Sequence, residues 1–385
     1  MTQCSCFAYV RERERLEGVV RRAERLERRR ESVDAFQEGS GWCVSLSLGV
    51  NEGVPLVHGI RLGAVEGEFS ALEVIEGRAV AVRGPFGTRP LYVGDDGSVA
   101  TDHRLLEGRM WMLRPGTAYD VETGGVTAGG EEGQSAALMS FEEAAERLAA
   151  LLRKAVGERV KGRRRVAVAF SGGLDSSTLA VVASSFSETV LCSVFADGSA
   201  DGGRVERAAG RLGLELEKVR VGREDAAAEA SCASLPFEPT QMDRALWTVY
   251  SLASRRARNA GADLILLGQM ADELFGGYAK YEKEVNAGRG ERAVDMMRRD
   301  VEALGLRGFV RDEMACSAWV EPSFPFADRE IGKLGLSLPV EFKIAGGVRK
   351  RVLREAARII GVPEEMAGAP KKAAQYSSGV LKLVG

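Results

Sequence analysis

One stretch of the chain carries residue types and spacing suited to phosphate chemistry: Ser171-Gly172-Gly173-Leu174-Asp175-Ser176. Adjacent glycines let backbone N–H groups approach an anion with no Cβ in the way. Ser171, Gly172, Gly173 and Ser176 are the candidate donors to it. Ser176, Ser177 and Thr178 place hydroxyls where a helix is expected to begin, and the partial positive charge of a helix N-terminus favours phosphate. Asp175 is the odd residue. A carboxylate beside a phosphate repels it unless a cation bridges the two, which argues for Mg²⁺. The Walker A spacing is absent. The plain alternative is an ordinary strand–turn–helix junction with a Ser-rich turn.

A second stretch is Gly268-Gln269-Met270-Ala271-Asp272-Glu273-Leu274-Phe275-Gly276-Gly277-Tyr278. Its adjacent carboxylates can complement a helix N-terminus, or Asp272 can share the task of Asp175 and hold magnesium. Mg²⁺ takes one or two carboxylates together with phosphate oxygens and water.

The elements that must position these residues alternate strands and helices. Residues 166–170 form a short apolar run, as expected of a strand covered on both faces. Residues 189–195 and 216–221 are further strands, and 205–212 and 242–260 are helices. Residues 263–268 are again apolar. This βαβ rhythm predicts a parallel, doubly wound sheet with flanking helices, an α/β fold. In such sheets ligands sit at the carboxyl ends of strands, where the strand order reverses. Both stretches lie at such ends and can face one site, but Asp175 and Asp272 are expected in the loops themselves.

Composition narrows the class. At 385 residues the chain accommodates two domains, and its net charge of -2 implies no general attraction to nucleic acid or membrane. No apolar run approaches the ~18 residues of a membrane span and no signal peptide opens the chain, so a cytoplasmic protein is expected. The six cysteines are scattered with no CxxC pair, which favours reduced thiols over a disulfide or zinc framework. With only His58 and His103 available, no histidine-based mechanism is expected.

The N-terminal part reads differently. Residues 10–31 alternate Arg and Glu around a thin stripe of Leu16, Val19, Val20 and Leu26, a solvated helix expected to dock on the protein's own body or to serve as a partner-binding arm. Residues 42–48, 69–75 and 79–82 are strand candidates separated by turns, and 85–93 adds a turn and another strand, so a smaller, mostly β domain is expected. Ser140 and Glu143 form a capping box opening a helix. The domain boundary falls near 135, giving domains 1–135 and 136–385.

The first stretch resembles the pyrophosphate loop of the ATP-pyrophosphatase superfamily. Followed about a hundred residues later by GQMADELFGGY, it resembles the synthetase domain of the asparagine and β-lactam synthetases. Arg311-Asp312-Glu313-Met314-Ala315, the stretch 321–328, Lys350 with the helix 351–356, and Pro370-Lys371-Lys372-Ala373 continue the resemblance over about residues 140–376. The N-terminal domain resembles the family's glutaminase domain in part, through Gly67-Glu68-Phe69, the stretch 83–92 and Arg114-Pro115-Gly116. The family's nucleophilic cysteine would follow the initiator Met, where this chain has Thr2, and the glutamine-binding segments are missing. A degenerate glutaminase-like domain is therefore expected, with Cys4 and Cys6 near its start.

The resemblance implies an ATP-dependent ligase. It adenylates a carboxylate, aspartate in the simplest case, with release of AMP and pyrophosphate, and ammonia then forms the amide. ATP and Mg²⁺ are the expected cofactors. Lys350, Asp272 and Asp175 are the candidate catalytic residues, with Asp175 and Asp272 on the metal. Ser171, Gly172, Gly173, Asp175, Ser176, Gly268 and Asp272 would line the nucleotide. The plain alternative for Lys350 is a surface helix cation in the run Arg349-Lys350-Arg351. Gln269 stands where the family has a Glu proposed as proton acceptor, and Ser323 where it has an Arg. Both weaken the assignment to aspartate more than the assignment to adenylation. Expected partners are small-molecule substrates, with a separate glutaminase subunit and a homo-oligomer as options, and no nucleic acid or membrane. The rivals are a different amide or lactam synthetase, a tRNA-modifying member of the superfamily, and an ATP-binding scaffold.

Overall fold

The computed structural model describes residues 2–4, 6–26, 32–38, 41–47, 56–61, 67–75, 78–128, 139–199, 201–369 and 378–384. Residues 27–31 of the charged run, part of the stretch near 135, and Pro370-Lys371-Lys372-Ala373 lie outside them. The chain forms two compact units, Met1–Gly133 with Glu302–Glu313, and Gln134–Val301 with Met314–Gly385. Nothing in the sequence patterning anticipates that 302–313 groups with the N-terminal part.

The first unit contains β1 (Thr2–Cys4), β2 (Cys6–Val10), α1 (Arg13–Arg25), β3 (Ser32–Glu38), β4 (Gly41–Ser47), β5 (Leu56–Arg61), β6 (Gly67–Ile75) and β7 (Arg78–Arg83). After these come β8 (Tyr92–Gly94), β9 (Val99–Ala100), β10 (Met110–Met112), β11 (Thr117–Asp120) and β12 (Val126–Ala128). The strands form two sheets, ordered β1-β5-β6-β7-β11-β12 and β10-β8-β9-β2-β4-β3. Strand β2 shows why they stack. Its side chains alternate between faces, so Phe7 and Tyr9 join Leu56, Leu72 and Ala81 of the other sheet in one core, while Cys6, Ala8 and Val10 face the opposite way. There they meet Val19 and Ala23 of α1. The apolar stripe of the charged helix thus packs on its own unit, with Val19 buried and Leu16, Val20 and Leu26 partly buried, and Arg22 Nε donates to Leu105 O at 3.0 Å.

Residues 85–93, expected as a turn and a strand, reach the strand at Tyr92. Pro85 and Pro90 lack the N–H a ladder needs. Gly87 has φ +64°. Arg83 fills this irregular stretch from within. It is 1% exposed, and donates to the carbonyls of Arg89 (3.0 Å), Leu113 (2.6 Å), Gly87 (2.8 Å) and Gly305 (2.5 Å).

The second unit opens with α2 (Phe141–Val160), whose capping box is present: Glu143 N–H donates to Ser140 Oγ and Ser140 N–H to the Glu143 carboxylate. Then come β13 (Arg165–Ala169), α3 (Leu174–Ser184), β14 (Glu188–Ala196), α4 (Asp201–Leu212), β15 (Glu215–Val221), α5 (Arg223–Ser231), α6 (Gln241–Asn259) and β16 (Leu264–Leu266). The chain continues through α7 (Ala271–Phe275), α8 (Ala279–Asn286), α9 (Gly290–Ala303), a π-turn at Leu304–Gly308 and α10 (Phe309–Ser317). Last come β17 (Glu321–Ser323), α11 (Arg329–Ser337), α12 (Val340–Lys343), the two-residue strands β18 (Ile344–Ala345) and β19 (Val348–Arg349), α13 (Arg351–Ile360) and α14 (Glu364–Ala367).

The five-stranded sheet has the order β15-β14-β13-β16-β17, with every pair parallel. The chain winds outward from β13 in one direction and then, from β16, in the other. This is the expected doubly wound α/β sheet, with its switch point between β13 and β16. The central residues of β13, Val166, Ala167 and Val168, are fully buried, as the unbroken apolar run requires. No helix among the described residues is long and apolar enough to cross a membrane.

Candidate active site

Strand β13 ends at Ala169, and Phe170 N–H still donates to Cys192 O at 2.8 Å. The chain then turns through Ser171, Gly172 and Gly173. Gly172 takes φ +67°, a left-handed conformation that suits glycine, and a Cβ there would also press on Ala208 at 3.3 Å. Gly173 is the N-cap of α3. The helix starts at Leu174, earlier than the hydroxyls of Ser176–Thr178 suggest, so Asp175 stands in its first turn and not in the loop. Ser176 is turned back onto the loop: its Oγ accepts from Ser171 N–H and reaches Gly173 O, both at 3.3 Å. The hydroxyl closes the turn, leaving backbone N–H groups as its rim.

Strand β16 delivers the second stretch beside the first. A Cβ on Gly268 would come within 3.0 Å of Asp175 Cβ, so the chain after β16 touches the first turn of α3 at that glycine. Met270 is buried with φ +76° and precedes α7. Asp272 therefore also lies in a first helical turn, where the expectation had a loop. The five-residue helix ends at Gly276, again left-handed. Gly277 N–H donates to Asp272 O at 2.8 Å.

The third contribution comes from the end of β19. Lys350 is the N-cap of α13 and has φ +58° and ψ 36°, the left-handed region that residues with a Cβ seldom enter. It is 0% exposed, which removes the alternative of a surface cation. Its Nζ lies 2.6 Å from Asp175 Oδ1 and 2.7 Å from Asp272 Oδ1. The three candidate catalytic residues are thus in direct contact. Space for this contact depends on Gly277, because a Cβ there would fall on the Asp272 carboxylate and on Lys350 Cε.

Neighbouring residues fix the surroundings of these three. Arg349 Nη1 donates to Gly277 O at 2.8 Å and pairs with Glu282 at 3.2 Å. Arg354 Nε donates to Arg349 O at 2.7 Å and Nη1 to Ala367 O at 2.5 Å, anchoring the start of α13. Glu273 is buried beside Asp272 and accepts from Tyr278 Oη at 2.6 Å. Burial, then the Asp272 charge, push its carboxyl up to about 7. Burial and the Glu273 charge likewise raise the Tyr278 phenol, which remains a donor. Ser323, at the end of β17, is fully buried, and its carbonyl accepts from Leu267 N–H at 2.9 Å. Glu321 of the same strand pairs with Arg163.

Comparison with known proteins bears on the same part of the chain. The family model for asparagine synthase matches residues 147–311 and 295–383. A putative glutamine-hydrolyzing asparagine synthetase of Methanocaldococcus jannaschii is 33% identical over 280 residues, 64% of this chain and 51% of that protein. A glutamine-hydrolyzing asparagine synthetase of Oryza sativa is 28% identical over 315 residues, 75% of this chain and 52% of its own length. The chain therefore spans about half the length of the curated relatives it matches. Among solved structures, an NMN synthetase from Francisella tularensis overlaps 63% of this chain and 79% of its own, with 13% identity and a TM-score of 0.34. The family match runs through the glycine loop, the Asp272 stretch and Lys350, and the chain belongs to the asparagine synthase family.

Proposed function

We propose that the protein is an ATP-dependent ligase that adenylates a carboxylate, releases pyrophosphate, and passes the acyl group to an amine to form an amide. The observation that carries this reading is the convergence of Asp175, Asp272 and Lys350 at the carboxyl ends of β13 and β16. Two carboxylate oxygens within 2.7 Å of one cationic nitrogen mark a point where positive charge is held. Hard oxygen donors of this kind fit Mg²⁺, which accepts one or two carboxylates beside phosphate oxygens. Asp175 and Asp272 would hold it, and when bound it supplies charge neutralisation to the phosphates.

The protein's own groups then divide the work. Backbone N–H groups of Gly172 and Gly173, with the Ser171 hydroxyl, bind the leaving pyrophosphate at the start of α3, while Ser176 keeps that turn closed. Gly268 lets the nucleotide site come close to Asp175. Lys350 neutralises charge that builds on the phosphate oxygens as the carboxylate attacks and pyrophosphate departs. Preorganised groups of this kind are worth about a hundredfold or more in rate each.

In its finer form the reading has aspartate as acceptor and ammonia as nitrogen donor, giving asparagine. Support for ammonia over glutamine comes from Cys6, which is fully buried within β2. A second reading keeps adenylation and changes the acceptor. It is favoured by Gln269, which has no carboxylate to take a proton, and by the small, buried Ser323.

ATP–pyrophosphate exchange screened across carboxylic acids tests both readings. Exchange that depends on one acid, with AMP and pyrophosphate as products, is the expected result, and the acid that supports it names the acceptor. ADP as the stoichiometric product refutes adenylation. With the acceptor in hand, ammonium should support amide formation and glutamine should not release glutamate.

A further inference from the structure

Lys350 is fixed between two carboxylates by features that need no ligand. Its backbone is held left-handed at φ +58°. Its side chain is fully buried. Arg349, immediately before it, is tied to Gly277 O at 2.8 Å, and Gly277 leaves room for the contact with Asp272. The ammonium thereby occupies the point on which both aspartates converge.

We infer that this ammonium gates metal binding: while it bridges Asp175 and Asp272 it keeps a divalent cation off them, and a triphosphate lifts the block by offering the ammonium oxygens of its own. The inference rests on the metal role proposed above for the two aspartates. Charge arithmetic supports it. Asp175, Asp272 and Lys350 together carry one net negative charge, and the two aspartates alone carry two. A cation brought to the carboxylates would sit beside a fixed positive charge. At ~4 Å and an effective dielectric of ~20, repulsion between even two unit charges weakens binding roughly a thousandfold. Relaxation of the side chain reduces this, so a gain of about a hundredfold is expected when the ammonium is removed. Metal and nucleotide would then enter together, and the aspartates would not load with metal on their own.

The test follows Mn²⁺ as the probe by loss of the free-ion paramagnetic resonance signal, using the full chain with and without a non-hydrolysable ATP analogue. Wild type should bind Mn²⁺ at this site only with the analogue. Lys350→Met should bind it without nucleotide about a hundredfold more tightly than wild type, and Mn²⁺ should raise its melting temperature. Adding Asp175→Asn to that variant should abolish the gain. Lys350→Arg keeps the charge and should behave as wild type. If Lys350→Met does not fold, Lys350→Gly, which suits a left-handed backbone, carries the same expectation. Equal nucleotide-free binding by wild type and Lys350→Met overturns the gate. So does a failure of both to bind without nucleotide when both bind with it, and in either case the metal role of the aspartates survives. Absence of binding even with the analogue removes that role and the gate with it.

Discussion

Arg83 in the first unit and Lys350 in the second are both buried long cations, and the two units use them in opposite ways. In the first unit Arg83 gives its donors to four backbone carbonyls. In the second, Lys350 faces two carboxylates. Carbonyls are dipoles with no net charge, so burial dominates and pulls the Arg83 pKa down to about 10, leaving it charged at neutral pH. Its acceptors are main-chain carbonyls of three separate segments, and none can leave without moving the backbone. A carboxylate on a side chain can turn to another partner. The carbonyl set therefore fastens a turn, and the carboxylate set holds a charge that a ligand can redirect.

The sharpest way to break this contrast is to neutralise the carboxylates. Asp175→Asn and Asp272→Asn are each expected to cut acceptor-dependent ATP–pyrophosphate exchange by on the order of a hundredfold or more. Lys350 keeps one charged partner in either variant, so thermal unfolding should stay close to that of wild type. Wild-type exchange in either variant would show that the pair holds structure and not substrate.

Arg83→Met should do the reverse. It leaves four buried carbonyls without their donor, at a cost of about 3–5 kcal/mol to the first unit. Turnover per folded molecule should stay within about twofold of wild type. Urea unfolding followed alongside pyrophosphate exchange separates the two quantities. A variant that keeps its stability but loses turnover would place Arg83 in the chemistry and erase the distinction.

How much of this was readable in the sequence depends on how local each feature is. The glycine loop and the Asp272 stretch are local patterns behind apolar strands, and the parallel sheet that unites them follows from the alternation of elements. The hydroxyls of Ser176, Ser177 and Thr178 point to a later start for α3 than Leu174. The cap is Gly173, which needs only an extended backbone, and the Ser176 hydroxyl is spent on closing the loop. Lys350 could be nominated only by resemblance: a lysine between two arginines reads as a surface cation, and nothing local predicts a buried, left-handed one. Arg83 carried even less signal, since its acceptor Gly305 lies 222 residues away. The Glu273–Tyr278 contact depends on a helix of five residues stopping at Gly276, a length that periodicity does not resolve.

That last contact gives the smallest expected effect and the finest test of the contrast. Glu273 is the third carboxyl of the cluster and is 3% exposed. Its pKa is pushed up from 4.5 to about 7, by burial first and by Asp272 second, against weaker opposing pulls from Tyr278 and Lys350. A carboxyl with a raised folded pKa keeps its proton in the native state after the unfolded chain has released it. Native stability from this group is therefore lost as pH rises from about 4.5 to about 7 and is level above that. Each pKa unit corresponds to about 1.4 kcal/mol, so the loss is on the order of 3–4 kcal/mol. Glu273→Gln has no proton to release, and its stability should not show this fall. Urea unfolding of both proteins across that range, without ligands, should give curves that diverge as pH rises, with the variant gaining on wild type. Parallel curves would mean that Glu273 is ionised throughout. Lys350 would then balance three carboxylates, and the exchangeable charge assigned to two aspartates would have to be shared with a third.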